Sequence, residues 1–212
     1  MKTRTFATTS ATTFLTLGSL AATPAAHAAV LGRLLGTDAP PTTLGGHSLT
    51  AFGADRRGNV SVTDISISDG NPHGVMTFDR DMTHASVGST WATWSHGYAG
   101  DAYWTTGSSL TITMEPGLKA FVMYAEPNTR SPFRALVTTS TGEQLGQMID
   151  GNYGASGFGF WTTGEATITS ITMTIDRGSE GFAVGEFSSA VPGPATLALA
   201  GIASIAGRRR RN

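Results

Sequence analysis

The chain has 212 residues and no cysteine. That absence excludes disulfides, zinc–thiolate sites and thiol nucleophiles, so a domain built from it rests on its apolar core or on a metal ion. Charge is scarce at 14% of residues. Between residues 29 and 190 no long segment places its apolar residues at a helical period of 3.6. Catalytic fingerprints are missing too: there is no H-E-x-x-H, no G-x-S-x-G, no P-loop and no dinucleotide-binding glycine pattern. His47, His73, His84 and His96 are not spaced like a zinc motif. Nothing in the chain therefore calls for catalysis.

What is present lies first at the two ends. Lys2 and Arg4 precede a short apolar run, Phe14–Ala22, and Pro24 precedes Ala26-His27-Ala28. A charged start, an apolar stretch and an A-x-A site predict a signal peptide over residues 1–28, cut between Ala28 and Ala29. His27 then belongs to the cleavage site. At the other end stand Pro192-Gly193-Pro194, an apolar run over Thr196–Gly207, and Arg208, Arg209, Arg210 and Arg211 before the final Asn212. Proline suits the first turn of a helix, where its missing N–H would be unpaired anyway. The apolar stretch would span about 25 Å as a helix, slightly short of a bilayer core of about 30 Å. Arginines at its end would hold that end in the cytoplasm. The competing assignment is a buried amphipathic helix with a basic tail. Nucleic acid is not an expected partner, because these arginines abut an apolar helix.

Proline motif, apolar helix and terminal arginines, in that order, resemble the PEP-CTERM sorting signal of exported bacterial proteins. Gly193 stands where that family most often has glutamate. The resemblance covers about a tenth of the chain. It implies passage through the export translocon, transient anchoring in the inner membrane by the C-terminal helix, and processing by an exosortase-type sorting protease. It also implies delivery to the cell surface or an extracellular polysaccharide matrix.

Removing both ends leaves a segment of about 160 residues, enough for one domain with a substantial core. It keeps all fifteen acidic residues against eight basic ones, which again disfavours nucleic acid and anionic lipid. Its pattern is all-β. Ser109–Met114 and Ser170–Ile175 alternate apolar residues with Ser or Thr, whereas Ala120–Ala125 is apolar on both faces, as a central sandwich strand is. Further strands are expected over Val60–Ser68, Val75–Phe78, Phe133–Thr139, Gln147–Ile149, Phe158–Phe160 and Phe182–Phe187, separated by Gly, Asn, Asp and Pro. Such spacing predicts a single β-sandwich or jelly-roll domain over residues 59–188. Residues 29–58 read as an irregular lead-in, and Ser188–Ala190 as the link into a sorting segment over 189–212. The block Gly151–Phe187 is similar to the closing strands of jelly-roll domains in sorted bacterial surface proteins. That similarity implies the fold and no activity.

Two groups of residues are candidates for binding. The segment Trp91–Trp104 holds Trp91, Trp94, Tyr98 and Trp104 beside His96 and Asp101. Aromatic faces next to short polar groups suit stacking on sugar rings, and extracellular polysaccharide is the ligand this would serve. The alternative is that the tryptophans fill the core. Asp69, Asn71, Asp79 and Asp81 offer oxygen ligands for Ca²⁺, though they lack EF-hand spacing, and Asp or Asn beside Gly is also ordinary turn chemistry. Glu186 sits in an apolar strand pattern and would need a partner if buried. No cofactor other than such a calcium ion is expected. The sequence favours a non-enzymatic structural or adhesive surface protein. A carbohydrate-binding module is the next reading, and a polysaccharide hydrolase with an unlocated acid pair the third.

Overall fold

The computed structural model describes residues 28–65 and 75–191. The expected sorting helix with Pro192, Gly193, Pro194 and the four arginines, the signal peptide through Ala26, and Asp69 and Asn71 lie outside the described residues. Within them no helix is long and apolar enough to cross a membrane. The fold is all-β, as the alternating pattern requires. In chain order the strands are β1 (Ala29–Gly36), β2 (Thr43–Leu44), β3 (His47–Ser48), β4 (Thr50–Ala51), β5 (Ser61–Ile65), β6 (Met76–Ser86) and β7 (Asp101–Thr105). They continue as β8 (Ser109–Leu118), β9 (Ala120–Pro127), β10 (Pro132–Thr139), β11 (Gln144–Asp150), β12 (Ser156–Thr163), β13 (Ile168–Ile175) and β14 (Phe182–Ala190).

Twelve of these strands form one antiparallel sheet in the order β1-β12-β9-β14-β7-β6-β8-β13-β10-β11, with β4 on β14 and β5 on β6. The sheet folds over at β6, which pairs β7 through Thr83–Ser86 and β8 through Thr77–Phe78. One layer is thus β1-β12-β9-β14-β7 and the other β8-β13-β10-β11. The ends of the sheet approach each other, for Leu145 of β11 lies against Gly32 of β1. The result is a nearly closed sandwich.

The main core lies between the layers. Phe121, Met123, Phe158, Phe160, Phe182 and Val184 from one side meet Leu110, Ile112, Ile171, Met173, Val137 and Ile149 from the other. Each such side chain contributes about 1.5–3 kcal/mol by leaving water. As the sequence pattern requires, β9 is buried on both faces along its whole length. Its second face, with Ala120, Val122 and Tyr124, is covered by Leu35, Leu44 and Leu49.

That cover corrects the reading of residues 29–58 as an irregular lead-in. Ala29–Gly36 is a full strand that pairs β12 from Ala29↔Thr163 to Gly36↔Gly157. Its sequence, AVLGRLLG, hides this because the strand lies at the sheet edge, where Leu31 and Leu34 are exposed and break the alternation. Likewise Ser188–Ala190 is no link: it continues β14 and pairs Val122, Phe121 and Ala120.

Residues 52–58 lack regular structure but are pinned by a buried ionic network. Asp55, 7% exposed, accepts hydrogen bonds from the Arg57 amide (3.0 Å), Arg57 Nε (2.9 Å) and the Tyr103 hydroxyl (2.9 Å). The same guanidinium reaches Asp64 at 2.7 Å. The Asp55 amide donates to Asp101 Oδ2 at 2.7 Å, while Asp101 Oδ1 faces His84 Nε2 at 2.8 Å and His84 Nδ1 faces the Gly58 carbonyl at 2.9 Å. Burial pushes the Asp55 carboxyl up, but the hydrogen bonds from Arg57 and Tyr103 outweigh it and hold it below its ordinary 3.8. Stability drawn from Asp55 is therefore complete above that value and lost as pH falls below it. Arg57→Ala leaves a buried carboxylate short of its main donors and is expected to cost about 2–3 kcal/mol in urea unfolding at pH 7. The deficit relative to wild type should shrink as the pH is lowered below 4.

Candidate functional site

Alternation along β7, β9 and β14 decides which side chains reach the outer face of the first layer. Tyr103, Phe182 and Val184 point into the main core, so Ala102, Trp104, Ala183, Gly185 and Glu126 take the opposite side. Ala102 and Ala183 make a low floor there. On it pack Val87, Trp91, Trp94, Tyr98 and Trp104. Trp91 and Trp104 have ring centroids 6.5 Å apart, Trp94 and Tyr98 5.8 Å. Gly185 is needed under this layer, since a Cβ there would lie 2.6 Å from the Asp101 carbonyl and 3.3 Å from the Trp94 ring.

The four aromatic residues singled out in the sequence therefore do come together, but as a half-buried cluster rather than an open platform. The reason is two carboxylates beneath them. Trp91 Nε1 donates to Glu126 Oε2 at 2.8 Å, and the Thr93 hydroxyl donates to Oε1 of the same group. Trp94 Nε1 donates to Glu186 Oε2 at 2.9 Å, while His96 Nε2 lies 2.6 Å from Glu186 Oε1. Each acid fastens one tryptophan of the 88–100 loop to the sheet. Burial pushes both carboxyls above the usual range, and their hydrogen bonds oppose that rise.

Glu186 and His96 share a second property. Both have left-handed backbone, φ 51° and φ 40°, which non-glycine residues seldom adopt. Glu186 takes it at a β-bulge, where the pairing of β14 with β9 shifts between Gly185 and Ser188. Glycine usually fills such a place. His96 also contacts the Thr37 carbonyl through Nδ1 at 3.0 Å, and its ring meets the edge of Tyr124 at 5.3 Å. Tyr124 donates to the Asp38 carbonyl. The Glu186–His96 contact thus ties β14, the 88–100 loop and the turn after β1 into one unit.

Clefts surround this unit. One of about 260 Å³ lies beside Glu186, Tyr98 and Phe52. A wider one of about 600 Å³ borders His96, Trp94 and Tyr153. A small one of about 170 Å³ is lined by Glu126, Asn128 and Arg130.

Of the four proposed calcium ligands, Asp69 and Asn71 lie outside the described residues. Asp79 and Asp81 are exposed on β6. Asp79 accepts the Thr111 amide at 3.0 Å and approaches Arg80 at 3.4 Å. Among the described residues no three His, Asp or Glu side chains are placed to hold a metal ion. Glu126 escaped the sequence reading, although an acid closing the apolar run AFVMYA was a signal of the same kind as Glu186. His96 stands in the sequence beside the aromatic segment, but its partner Glu186 is 90 residues away, so no local spacing signals the pair.

No protein-family model matches the chain, and no curated protein matches it. Among solved structures, the enzymatically active domain of tailspike protein 4 of bacteriophage CBA120 is similar with a TM-score of 0.31 and 14% identity. The match covers 55% of this chain and 19% of that one, and at this level it says nothing about activity.

The electrostatics of Glu126 generate a test. A carboxyl whose folded value is raised contributes most below its unfolded value of 4.5 and loses that contribution as pH rises through the folded value. Glu126→Gln keeps an acceptor for Trp91 without a charge. Its stability relative to wild type should improve steadily from pH 4 to pH 7 in urea titrations. Glu126→Ala, which strands both donors, should lose about 2–3 kcal/mol at pH 4, and its deficit should narrow toward pH 7 in step with the gain of the Gln variant.

Proposed function

We propose that this chain is exported, is held for a time in the inner membrane by its C-terminal helix, and is passed by an exosortase-type protease to the cell surface or matrix. There its role is structural or adhesive and involves no catalysis. One observation carries this reading: the folded domain fills the interval between the two signals. Strand β1 starts at Ala29, directly after Ala28 of the A-x-A motif, and its amide is bound to Thr163 Oγ1 at 3.2 Å. Strand β14 runs to Ala190, whose carbonyl accepts the Lys119 amide at 2.7 Å, two residues before Pro192. The first and last strands thus begin and end at the boundaries that processing at these two signals would leave.

The non-catalytic part rests on how the outer-face acids are used. Glycoside hydrolysis needs two carboxyl groups about 5–10 Å apart, open to substrate. Here Glu126 is 1% exposed and both of its oxygens accept hydrogen bonds from the loop. The indole N–H groups of Trp91 and Trp94 are spent inward as well, which favours a structural cluster over a sugar-stacking platform.

Expression of the full chain in a Gram-negative host with an exosortase system tests the proposal. The extracellular product should begin at Ala29 by N-terminal sequencing and lack the arginine cluster by mass. Replacing Arg208, Arg209, Arg210 and Arg211 with glutamine should leave unprocessed protein in the cells. A cytoplasmic product that keeps residues 1–28 would contradict it.

A further inference from the structure

Among the described residues, the outer edge of β14 is covered twice and bare once. Strand β7 pairs Phe182–Gly185, and β4 pairs Ser188 and Ser189. Between them, among the described residues, only the Phe52 amide reaches across, donating to the Phe187 carbonyl at 2.9 Å. The bulge at Glu186 falls in this interval, so the break in the edge and the kink in the strand coincide. The cleft of about 260 Å³ occupies the break, lined by Phe52, Tyr98, Asp101, Glu186, Phe187 and Ser188 among others.

We propose that this cleft binds one ring of a neutral sugar. Phe52 and Tyr98 supply the aromatic surface that the C–H face of a pyranose packs against. Glu186 supplies acceptors: a carboxylate has about four lone-pair sites, and Trp94 and His96 take two. Ser188, 4% exposed, carries a buried hydroxyl with no partner among the described residues, a debt that buried polar groups seldom leave standing. The Tyr98 hydroxyl already donates to the Asp101 carbonyl at 3.1 Å, and burial with Asp101 and Glu186 nearby pushes it well above the usual phenol range. It stays a neutral donor.

Size and charge narrow the ligand class. The volume lies just under the roughly 300–1,000 Å³ of pockets for drug-sized molecules, which suits one ring and not a chain threaded through. Among the described residues no Lys, Arg or His lines the cleft, whereas two acids do. Sugar hydroxyls can donate to those acids. A uronic acid or a sugar phosphate would bring a like charge against them. The left-handed backbone of Glu186 fits the same purpose: glycine would adopt that φ freely but would bring no carboxylate to the cleft.

The site does not depend on the sorting pathway, so a failure of export and a failure of binding are separate results. The test is titration of the full chain, purified whether or not it is exported, with methyl α-D-glucopyranoside, mannopyranoside and galactopyranoside, and with glucuronate, followed by amide chemical shifts. At least one neutral pyranoside should saturate near 1 mM, a strength usual for so few atoms, and shift resonances of Phe52, Tyr98 and Ser188. Glucuronate should bind at least tenfold more weakly. Ser188→Ala removes a hydroxyl that has no bond to lose, so its melting temperature should match wild type while affinity falls several-fold. Glu186→Gln should reduce affinity tenfold or more. Absence of saturable shifts with every neutral pyranoside would overturn the proposal. So would binding that survives both substitutions and is abolished by Trp104→Ala, which would put the sugar on the tryptophan face.

Discussion

The arrangement on the outer sheet face depends on one kind of bond, an indole N–H donated to a buried carboxylate, made twice. Trp91 holds Glu126 and Trp94 holds Glu186. A carboxylate beneath aromatic rings is costly unless hydrogen-bonded, and an indole N–H removed from water needs an acceptor. Each group meets the other's requirement. Without that pairing the 88–100 loop would have three tryptophan and tyrosine rings against a floor of alanine and glycine, and little to set their orientation. The left-handed backbone of Glu186 and His96 is tolerable for the same reason, because the bonds those side chains form over-determine the conformation.

A second polar network does comparable work at the edge of the main core. Asp55, Arg57, Asp64, Asp101, His84 and Tyr103 bind one another and four backbone groups, the amides of Asp55 and Arg57 and the carbonyls of Gly58 and Asp64. They replace the ladder bonds that residues 53–58 do not make. Asp101 joins the networks, since its side chain serves His84 and the Asp55 amide while its carbonyl accepts the Tyr98 hydroxyl. In a protein without disulfides, these clusters fix segments that the apolar core alone would not order.

The fold was legible where one face of a strand is buried and the other wet. SLTITM and ITMTI declared β8 and β13 by alternation, and AFVMYA declared β9 by its lack of it. Strands at a margin were not legible. β1 exposes Leu31 and Leu34 at the sheet edge, and β7, DAYWT, buries Ala102 and Tyr103 on opposite faces. The tryptophan cluster could be foreseen as a group, but its orientation could not. Whether a ring faces sugar or carboxylate is decided by residues 35 and 92 positions away, and that is a property of sheet order. The oddity of Glu186 in a strand was visible, whereas the bulge that explains it arises only from its pairing with β9.

The most direct test is hydrogen exchange at the four indole N–H groups, read by ¹⁵N–¹H spectra of the purified domain. The account requires the Trp91 and Trp94 signals to be protected from exchange. Glu126→Ala should release Trp91 alone, and Glu186→Ala should release Trp94 alone. Four indoles exchanging together at the rate of exposed tryptophan, indifferent to either substitution, would mean that the loop is not held by its carboxylates, and the site as described would not exist.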